Sequence, residues 1–270
     1  MRKGKIIGLM IILALGGYFF VKMFSGSKKA ETKTNLRFLP TVTEKKLRVA
    51  IMADIHSDGE QLEKMLLRAK EDDNELVIIA GDLIEREGGG ELIKMRTILD
   101  NSELKYAVIP GDREKSLTIF KDVFGSDYQT IEMGKVKFIL INNASWHGLG
   151  VEQKKWIEGA VSDCREKICL VIMHKPLNNL FSAQIMGEGN VKVADEASWL
   201  MQLLVKSGVK RIEAADLHYS TSYELEGIRT DIVGAISRLD NLQSPRYTEL
   251  MISENSIERR VVEEGNDTRN

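Results

Sequence analysis

The sequence contains few cysteines and no excess of charge of either sign. Its 270 residues include two cysteines, Cys164 and Cys169, whose spacing matches neither a redox pair nor a zinc-binding knuckle. Lysine and arginine number 38 against 40 aspartates and glutamates, so no basic surplus argues for a nucleic-acid partner. The glycines at 88–90 lack the context of a P-loop, and we interpret them as a flexible loop. We interpret Cys169, which lies in an apolar run, as a small buried hydrophobe, with a disulfide as the alternative.

The amino terminus carries a long apolar run. Residues 6–21 contain no charged side chain, and basic residues flank the run on both sides. A membrane-spanning helix needs about 20 apolar residues. We therefore predict an anchor over residues 1–25, followed by a polar linker over residues 26–46, with a cleaved signal peptide as the alternative. The expected protein is single-pass, with its domain on the extracytoplasmic side, although basic residues on both flanks give the positive-inside rule little to discriminate.

From residue 47 the hydrophobic pattern alternates between short buried runs and amphipathic segments, which predicts strands and helices in turn. The predicted strands are 47–53, 76–80, 105–109, 136–141, 168–173 and 209–215, and the predicted helices are 59–72, 91–99, 116–124, 151–164 and 194–206. Four more strand-like runs follow without helices, at 222–226, 228–235, 247–253 and 256–262. This order predicts an α/β domain over residues 47–262, mainly parallel and ending in a β-meander, with a polar tail over residues 263–270.

Five of these predicted strands are followed by residues of the types that bind metals. The segments are Asp54-Ile55-His56, Gly81-Asp82, Gly111-Asp112-Arg113-Glu114, His174-Lys175-Pro176 and Ala215-Asp216-Leu217-His218. Taken singly, an aspartate in such a place is more often a turn former or a helix cap. Ligands in α/β sheets, however, bind beyond the carboxyl ends of strands. Three of the four histidines collect at these ends, which predicts a metal or phosphate centre. On an extended segment Asp54 and His56 point the same way and reach one ion together.

The order of these motifs resembles that of the calcineurin-like metallophosphoesterases, from about residue 47 to residue 262. The resemblance implies a four-layer α/β/β/α sandwich that binds two divalent metal ions. The residues that match the family's ligands of the first ion are Asp54, His56, Asp82 and His218. The residues at the positions of the second ion's ligands are Asp82 as a bridge, Asp112, His174 and Asp216.

Three positions depart from the family pattern, all in the second half of the predicted site. Asp112 replaces an asparagine and Asp216 a histidine, and both can still bind a cation through oxygen. Arg113 replaces the histidine thought to protonate the leaving group. An arginine cannot donate a proton at neutral pH, and loss of a general acid costs about 10² to 10⁴ in rate. Arg113 can instead bind phosphate oxygens. We predict Asp82 and Arg113 as catalytic, with Arg113 and the loop residue His147 contacting substrate.

We therefore predict a membrane-anchored, metal-dependent hydrolase of phosphate monoesters or diesters. The expected ions are Mn, Fe, Zn or Mg, and the expected substrate is a phosphorylated small molecule or a lipid-linked phosphate ester. A second hypothesis places Arg113 between Asp112 and Asp216, where it replaces the second ion, so that only one ion binds. The protein would then be an impaired metal- or phosphate-binding scaffold on the same fold. A purely structural domain is a third possibility, which leaves the four matching ligands unexplained. We interpret residues 178–192 as a lid over the site.

Overall fold

The computed structural model of the chain describes residues 46–86, 88–179 and 182–265. The predicted anchor over residues 1–25 lies outside the described residues, as does the predicted linker up to residue 45. Within the described ranges, no helix is both long enough and apolar enough to cross a bilayer.

The described part of the chain contains five helices and eleven strands, which largely coincide with the predicted segments. The helices are α1 (Gly59–Glu71), α2 (Gly89–Asn101), α3 (Leu117–Phe124), α4 (Gly150–Ala160) and α5 (Val191–Ser207). The first six strands are β1 (Leu47–Met52), β2 (Leu76–Ala80), β3 (Tyr106–Ile109), β4 (Gln129–Met133), β5 (Val136–Ile141) and β6 (Ile168–Met173). The remaining strands are β7 (Arg211–Ala214), β8 (Thr221–Leu225), β9 (Ile228–Ile232), β10 (Arg246–Ile252) and β11 (Ile257–Glu263). Strand β4 was not predicted.

The strands form two sheets. The first has the order β11-β10-β1-β2-β3, and the second has the order β4-β5-β6-β7-β9-β8. The pairs β1–β2, β2–β3, β5–β6, β6–β7 and β7–β9 are parallel, and the other pairs are antiparallel. The last four strands form two hairpins that belong to different sheets, so the predicted continuous meander is wrong.

Apolar side chains on both faces of each sheet hold the fold in four layers. Successive residues of β1 alternate: Ala50 and Met52 pack with α1, α2 and α3, whereas Val49 and Ile51 face the second sheet. On the far side, α4 and α5 cover the second sheet. Burial of each large aliphatic side chain contributes about 1.5–3 kcal/mol. The resulting order is helices, sheet, sheet and helices, as the resemblance implied.

The two cysteines form a disulfide, which corrects our interpretation of Cys169 as an unbonded hydrophobe. Cys164 follows the end of α4 and Cys169 lies in β6, with their Cα atoms 5.4 Å apart. Such a separation lies within the usual range for a disulfide. Both residues are fully buried in the core between the second sheet and its helices.

Candidate metal centre

All seven predicted ligands lie together at the edge where strands β1, β2, β3, β6 and β7 end. Within three groups, the potential ligand atoms lie within 4.8 Å of one another, and the groups are Asp54–His56–His218, Asp54–Asp82–His174 and Asp112–His174–Asp216. We define the first half-site as Asp54, His56, Asp82 and His218. We define the second half-site as Asp82, Asp112, His174 and Asp216. β1, β2 and β3 lie in the first sheet and β6 and β7 in the second. The parallel strands of each sheet end on the same side of the fold, which is why residues far apart in sequence meet here.

Left-handed turns, and not extended strands, aim most of these side chains. The φ angles are 54° for Asp54, 47° for His56, 52° for Asp82, 70° for Asp216 and 49° for His218. Asp54 and His56 therefore do not share an extended segment, which corrects that prediction, because β1 ends at Met52. Aspartate and histidine tolerate positive φ better than most residues. Backbone bonds fix the turn, since Ile55 N donates to Asp82 O at 2.8 Å and Ser237 N donates to Asp54 O at 3.0 Å.

The first half-site contains polar atoms without partners among the described residues. Both carboxylate oxygens of Asp54 are buried and accept no hydrogen bond there, and burial raises the Asp54 pKa well above its ordinary value. The Nε2 atoms of His56 and His218 lie 3.0 Å apart. The Nδ1 of His56 lies 3.0 Å from Glu85 Oε2, and that of His218 lies 3.3 Å from Asp240 O. With protons on Nδ1, two Nε2 lone pairs face each other, and this arrangement fits a cation between them.

Glu114 holds the turn that presents the shared carboxylate of Asp82. Its buried side chain accepts from Asp82 N at 3.0 Å, Ile84 N at 3.1 Å and Gly111 N at 2.7 Å. Burial raises the Glu114 pKa to about 7. A Cβ at Gly111 would lie 2.0 Å from Asp82 Oδ1, so only glycine fits there. Glu114 belongs to the Gly111-Asp112-Arg113-Glu114 motif, but the motif did not predict this role; the signal is an acidic residue two positions after Asp112.

A lysine that the sequence analysis did not single out lies in the second half-site. Lys175 Nζ is 3.1 Å from Asp112 Oδ2 and 3.3 Å from Asp216 Oδ2. His174 Nε2 lies 3.4 Å from both Asp82 Oδ1 and Asp216 Oδ1. The histidine's other nitrogen, Nδ1, lies 2.8 Å from a strand carbonyl, the oxygen of Ala80. The second half-site therefore already contains a cationic side chain.

The opposite charges of the second half-site stabilise one another's ionised forms, as the pKa shifts of its residues show. Burial acts to raise the pKa of Asp216, but hydrogen bonding and charge from His174, together with Lys175, outweigh it and lower that pKa to about 2. Burial acts to lower the pKa of His174, but the carboxylates of Asp82, Asp216 and Asp54 outweigh it and raise that pKa well above its ordinary value. The Lys175 pKa is likewise raised, because Asp216 and Asp112 outweigh the effect of burial.

Asn143 positions the backbone of this lysine and its neighbour. Asn143 Oδ1 accepts from His174 N at 3.1 Å and from Lys175 N at 3.0 Å, and Asn143 Nδ2 donates to Lys175 O at 2.6 Å. Asn143 is almost fully buried behind the end of β5. An asparagine after a strand gives little signal in a sequence, because the same residue is common in turns.

Arg113 lies on the other side of the shared carboxylate. Its Nε is 3.7 Å from Asp82 Oδ2 and 3.8 Å from Asp112 Oδ1, and its Nη1 is 3.6 Å from Glu85 Oε1. These distances are longer than hydrogen bonds, and 41% of the side chain is exposed. The hypothesis that Arg113 lies between Asp112 and Asp216 is wrong, because Lys175 holds that place.

A cleft of about 970 Å³ opens beside the second half-site. Arg113, His147 and Lys175 line it, so the structure brings the two predicted substrate residues to one cavity. Residues between 185 and 190, from the segment interpreted as a lid, form part of its wall. Trp146 also lines the cleft, with 64% of its surface exposed. The cleft thus offers cationic and aromatic groups next to the carboxylates.

Comparisons with known proteins point to one family. The family model described as calcineurin-like phosphoesterase matches residues 47–220. A search of curated proteins found no match. A dimetal phosphatase from Danio rerio has a TM-score of 0.58 at 11% identity, over 80% of this chain and 98% of its own. Purple acid phosphatase PPD1 from yellow lupin (Lupinus luteus) seeds has a TM-score of 0.61 at 14% identity, over 80% of this chain and 52% of its own. GAP50, described as the anchor in the inner membrane complex of Plasmodium, has a TM-score of 0.54 at 11% identity, over 81% of this chain and 84% of its own.

Proposed function

Because the chain belongs to the calcineurin-like phosphoesterase family, we propose that it hydrolyses phosphate esters with a divalent metal ion bound in the first half-site. The observation that carries this proposal is the pair of histidine Nε2 atoms, from His56 and His218, that face each other at 3.0 Å. They lie beside Asp54, whose buried carboxylate oxygens have no hydrogen-bond partner among the described residues. With the histidine protons on Nδ1, two Nε2 lone pairs and the buried Asp54 carboxylate are stabilised together by a cation.

The donor set of the first half-site suits a metal of intermediate hardness. It offers two imidazole nitrogens and two carboxylates, and such ligands fit Mn, Fe or Zn, with Mg as a further candidate. When bound, the ion supplies Lewis acidity toward a phosphoryl oxygen and lowers the pKa of a bound water. Glu85 Oε2 lies 3.0 Å from His56 Nδ1 and places a negative charge beside that nitrogen, as carboxylates near metal-binding histidines generally do.

Arg113 and His147 are proposed to bind the phosphate group. The guanidinium of Arg113 is partly exposed to the cleft and holds its carboxylate neighbours only loosely, so it can turn toward phosphate oxygens. An arginine there neutralises charge that develops on the phosphoryl group but cannot protonate the leaving group. The proposed enzyme therefore favours esters whose leaving group is already acidic, such as a phenol or a phosphate.

We further propose that the domain is anchored outside the cytoplasm by residues 1–25. The uncharged run of residues 6–21 supports this proposal. The buried disulfide between Cys164 and Cys169 also supports it, since disulfides persist mainly in oxidising compartments. Such a position would give the site access to lipid-linked phosphate esters.

The proposal is tested by hydrolysis of bis-para-nitrophenyl phosphate with the purified full-length chain and added Mn²⁺. Turnover is expected for the wild type, and loss of the shared ligand in Asp82→Ala should abolish it. Asp122→Ala, which removes an exposed carboxylate on α3, is the matched control and should retain activity. A diester with an alkyl leaving group should react more slowly by at least about 100-fold, since no general acid assists it.

The second candidate function is a phosphate-binding or scaffold protein without turnover, which the arginine at position 113 favours. In that case the wild type would show no hydrolysis above Asp82→Ala with any added metal. Calorimetry would still detect binding of inorganic phosphate, and Arg113→Met would weaken it. This pair of results would replace the hydrolase proposal.

A further inference from the structure

The side chain of Lys175 occupies a place that a second metal ion would need. Its ammonium lies 3.1 Å from Asp112 Oδ2 and 3.3 Å from Asp216 Oδ2, so it contacts both carboxylates that replace neutral ligands of the family. Only 20% of the lysine side chain is exposed. Three hydrogen bonds between Asn143 and the backbone of residues 174–175 fix the origin of the side chain. The ammonium is therefore built into the site and is not a surface charge that happens to lie near it.

An ammonium and a divalent ion compete for this position. A divalent ion would bind carboxylate oxygens at about 2.0–2.2 Å, close to where the lysine already donates its hydrogen bonds. A compact positive charge so close to the ion would repel it strongly, because partly buried charges are only weakly screened. The second half-site thus does not fit a divalent ion while Lys175 remains in place.

Charge balance agrees with this competition. Four carboxylates surround the centre, and they belong to Asp54, Asp82, Asp112 and Asp216. Lys175 and Arg113 supply two positive charges against these four, and the imidazole of His174 beside Asp82 and Asp216 can carry a third. The carboxylates therefore need at most one divalent ion for balance. The positive charge that the family resemblance implied for a second ion is already present in side chains. Asp112 and Asp216, which replace neutral ligands of the family, then have a structural role, because their carboxylates bind the Lys175 ammonium.

We propose that the Lys175 ammonium takes the place of the second metal ion, so that the centre binds a single divalent ion in the first half-site. The inference rests on the metal centre of the proposed function and adds to it the number of ions and the residue that sets this number. Lys175 is then a fixed cation at the side of the cleft where Arg113 also lies. Its positive charge faces the phosphate group whether or not metal is available.

Metal content tests this inference directly. The full-length wild type, Lys175→Met and Arg113→Met are dialysed against Mn²⁺, and bound metal per chain is measured by elemental mass spectrometry. Methionine is close to lysine in length but carries no charge. Arg113→Met removes a neighbouring charge that lies 3.7 Å from Asp82 and 3.8 Å from Asp112 and leaves Lys175 in place, so it is the control. The electron paramagnetic resonance spectrum of Mn²⁺ provides a second readout, since an isolated ion and a spin-coupled pair differ. Circular dichroism verifies that each variant is folded, and Lys175→Gln replaces Lys175→Met if the latter is not.

A single uncoupled ion is expected in the wild type and in Arg113→Met. A second, coupled ion is expected in Lys175→Met, with an affinity higher by about 100-fold or more than in the wild type, because a unit charge beside its ligands has been removed. A coupled pair in the wild type would overturn the inference, and so would a folded Lys175→Met that gains no ion. Diester hydrolysis in the same samples separates the two proposals. A single ion without turnover refutes only the hydrolase, two ions with turnover refute only the role of Lys175, and a wild type without metal refutes both.

Discussion

Replacement of Glu114 by alanine should destabilise the domain more than loss of most carboxylates, because three backbone N–H groups lose their acceptor. Because the Glu114 pKa is about 7, this carboxyl is only partly ionised at neutral pH. A hydrogen bond to it contributes about 1–2 kcal/mol, between the values for neutral and charged acceptors, which gives about 3–6 kcal/mol for three bonds. The cost of burying the carboxylate offsets part of this gain, and the raised Glu114 pKa reflects that cost. We therefore expect Glu114→Ala to lower the free energy of unfolding by about 4 kcal/mol.

Glu114→Gln retains one of the two oxygen acceptors of the Glu114 side chain and replaces the other with an amide nitrogen. Its amide oxygen can still accept from Asp82 N and Gly111 N, which share Oε2, whereas Ile84 N loses its partner on Oε1. The expected loss is about 1–2 kcal/mol.

Urea unfolding followed by circular dichroism measures both Glu114 variants. Glu60→Ala, which removes a carboxylate that is 73% exposed, should leave the midpoint nearly unchanged. If Glu114→Ala unfolds at the same urea concentration as Glu60→Ala, the assignment of Glu114 as the support of the Asp82 turn is refuted.

Three further changes probe other parts of the structure. Gly111→Ala places a Cβ 2.0 Å from Asp82 Oδ1, and should cost about 2–3 kcal/mol and weaken Mn²⁺ binding measured by calorimetry. Burial raises the Glu213 pKa to about 8, so the folded state retains a proton that the unfolded state releases near about pH 4.3. Wild-type stability in urea should fall as pH rises through this interval, and Glu213→Gln should reduce that slope, with a remainder from Glu114, whose pKa is also raised. The double change Cys164→Ala and Cys169→Ala should lower the free energy of unfolding by about 2 kcal/mol. A reductant should cause the same loss in the wild type and no further loss in the double variant.

The sequence predicts the alternation of strands and helices because the periodicities of apolar residues differ between the two. It does not predict β4, whose residues are partly or fully exposed and form one short run, Gln129–Met133. It places the final strands in one meander because neighbouring hairpins have similar patterns whichever sheet they join. Sheet membership depends on tertiary pairing, such as that of β10 with β1.

The residue types of the candidate site could be predicted from the sequence, but the positions of several of its side chains could not. Aspartates and histidines after strands converge because parallel strands end at one edge, and this rule needs no side-chain detail. The positions of Lys175 and Glu114 follow from the directions of long side chains, which depend on neighbours distant in sequence. Asn143, for example, fixes Lys175 from the loop that follows β5. A motif shows which residues are present but does not show which of them fills a space between two carboxylates.

The pairing of β1 with β10 has a consequence for synthesis of the protein. β1 emerges from the ribosome first among the described strands, but one of its two neighbours, β10, is made about 200 residues later. Until those residues appear, β1 presents an unpaired edge that can associate with other chains. The turn at Asp54 also lacks its bond from Ser237 during this time. A nascent chain therefore cannot assemble the first half-site before Ser237 and β10 have been made, and metal loading should follow their synthesis.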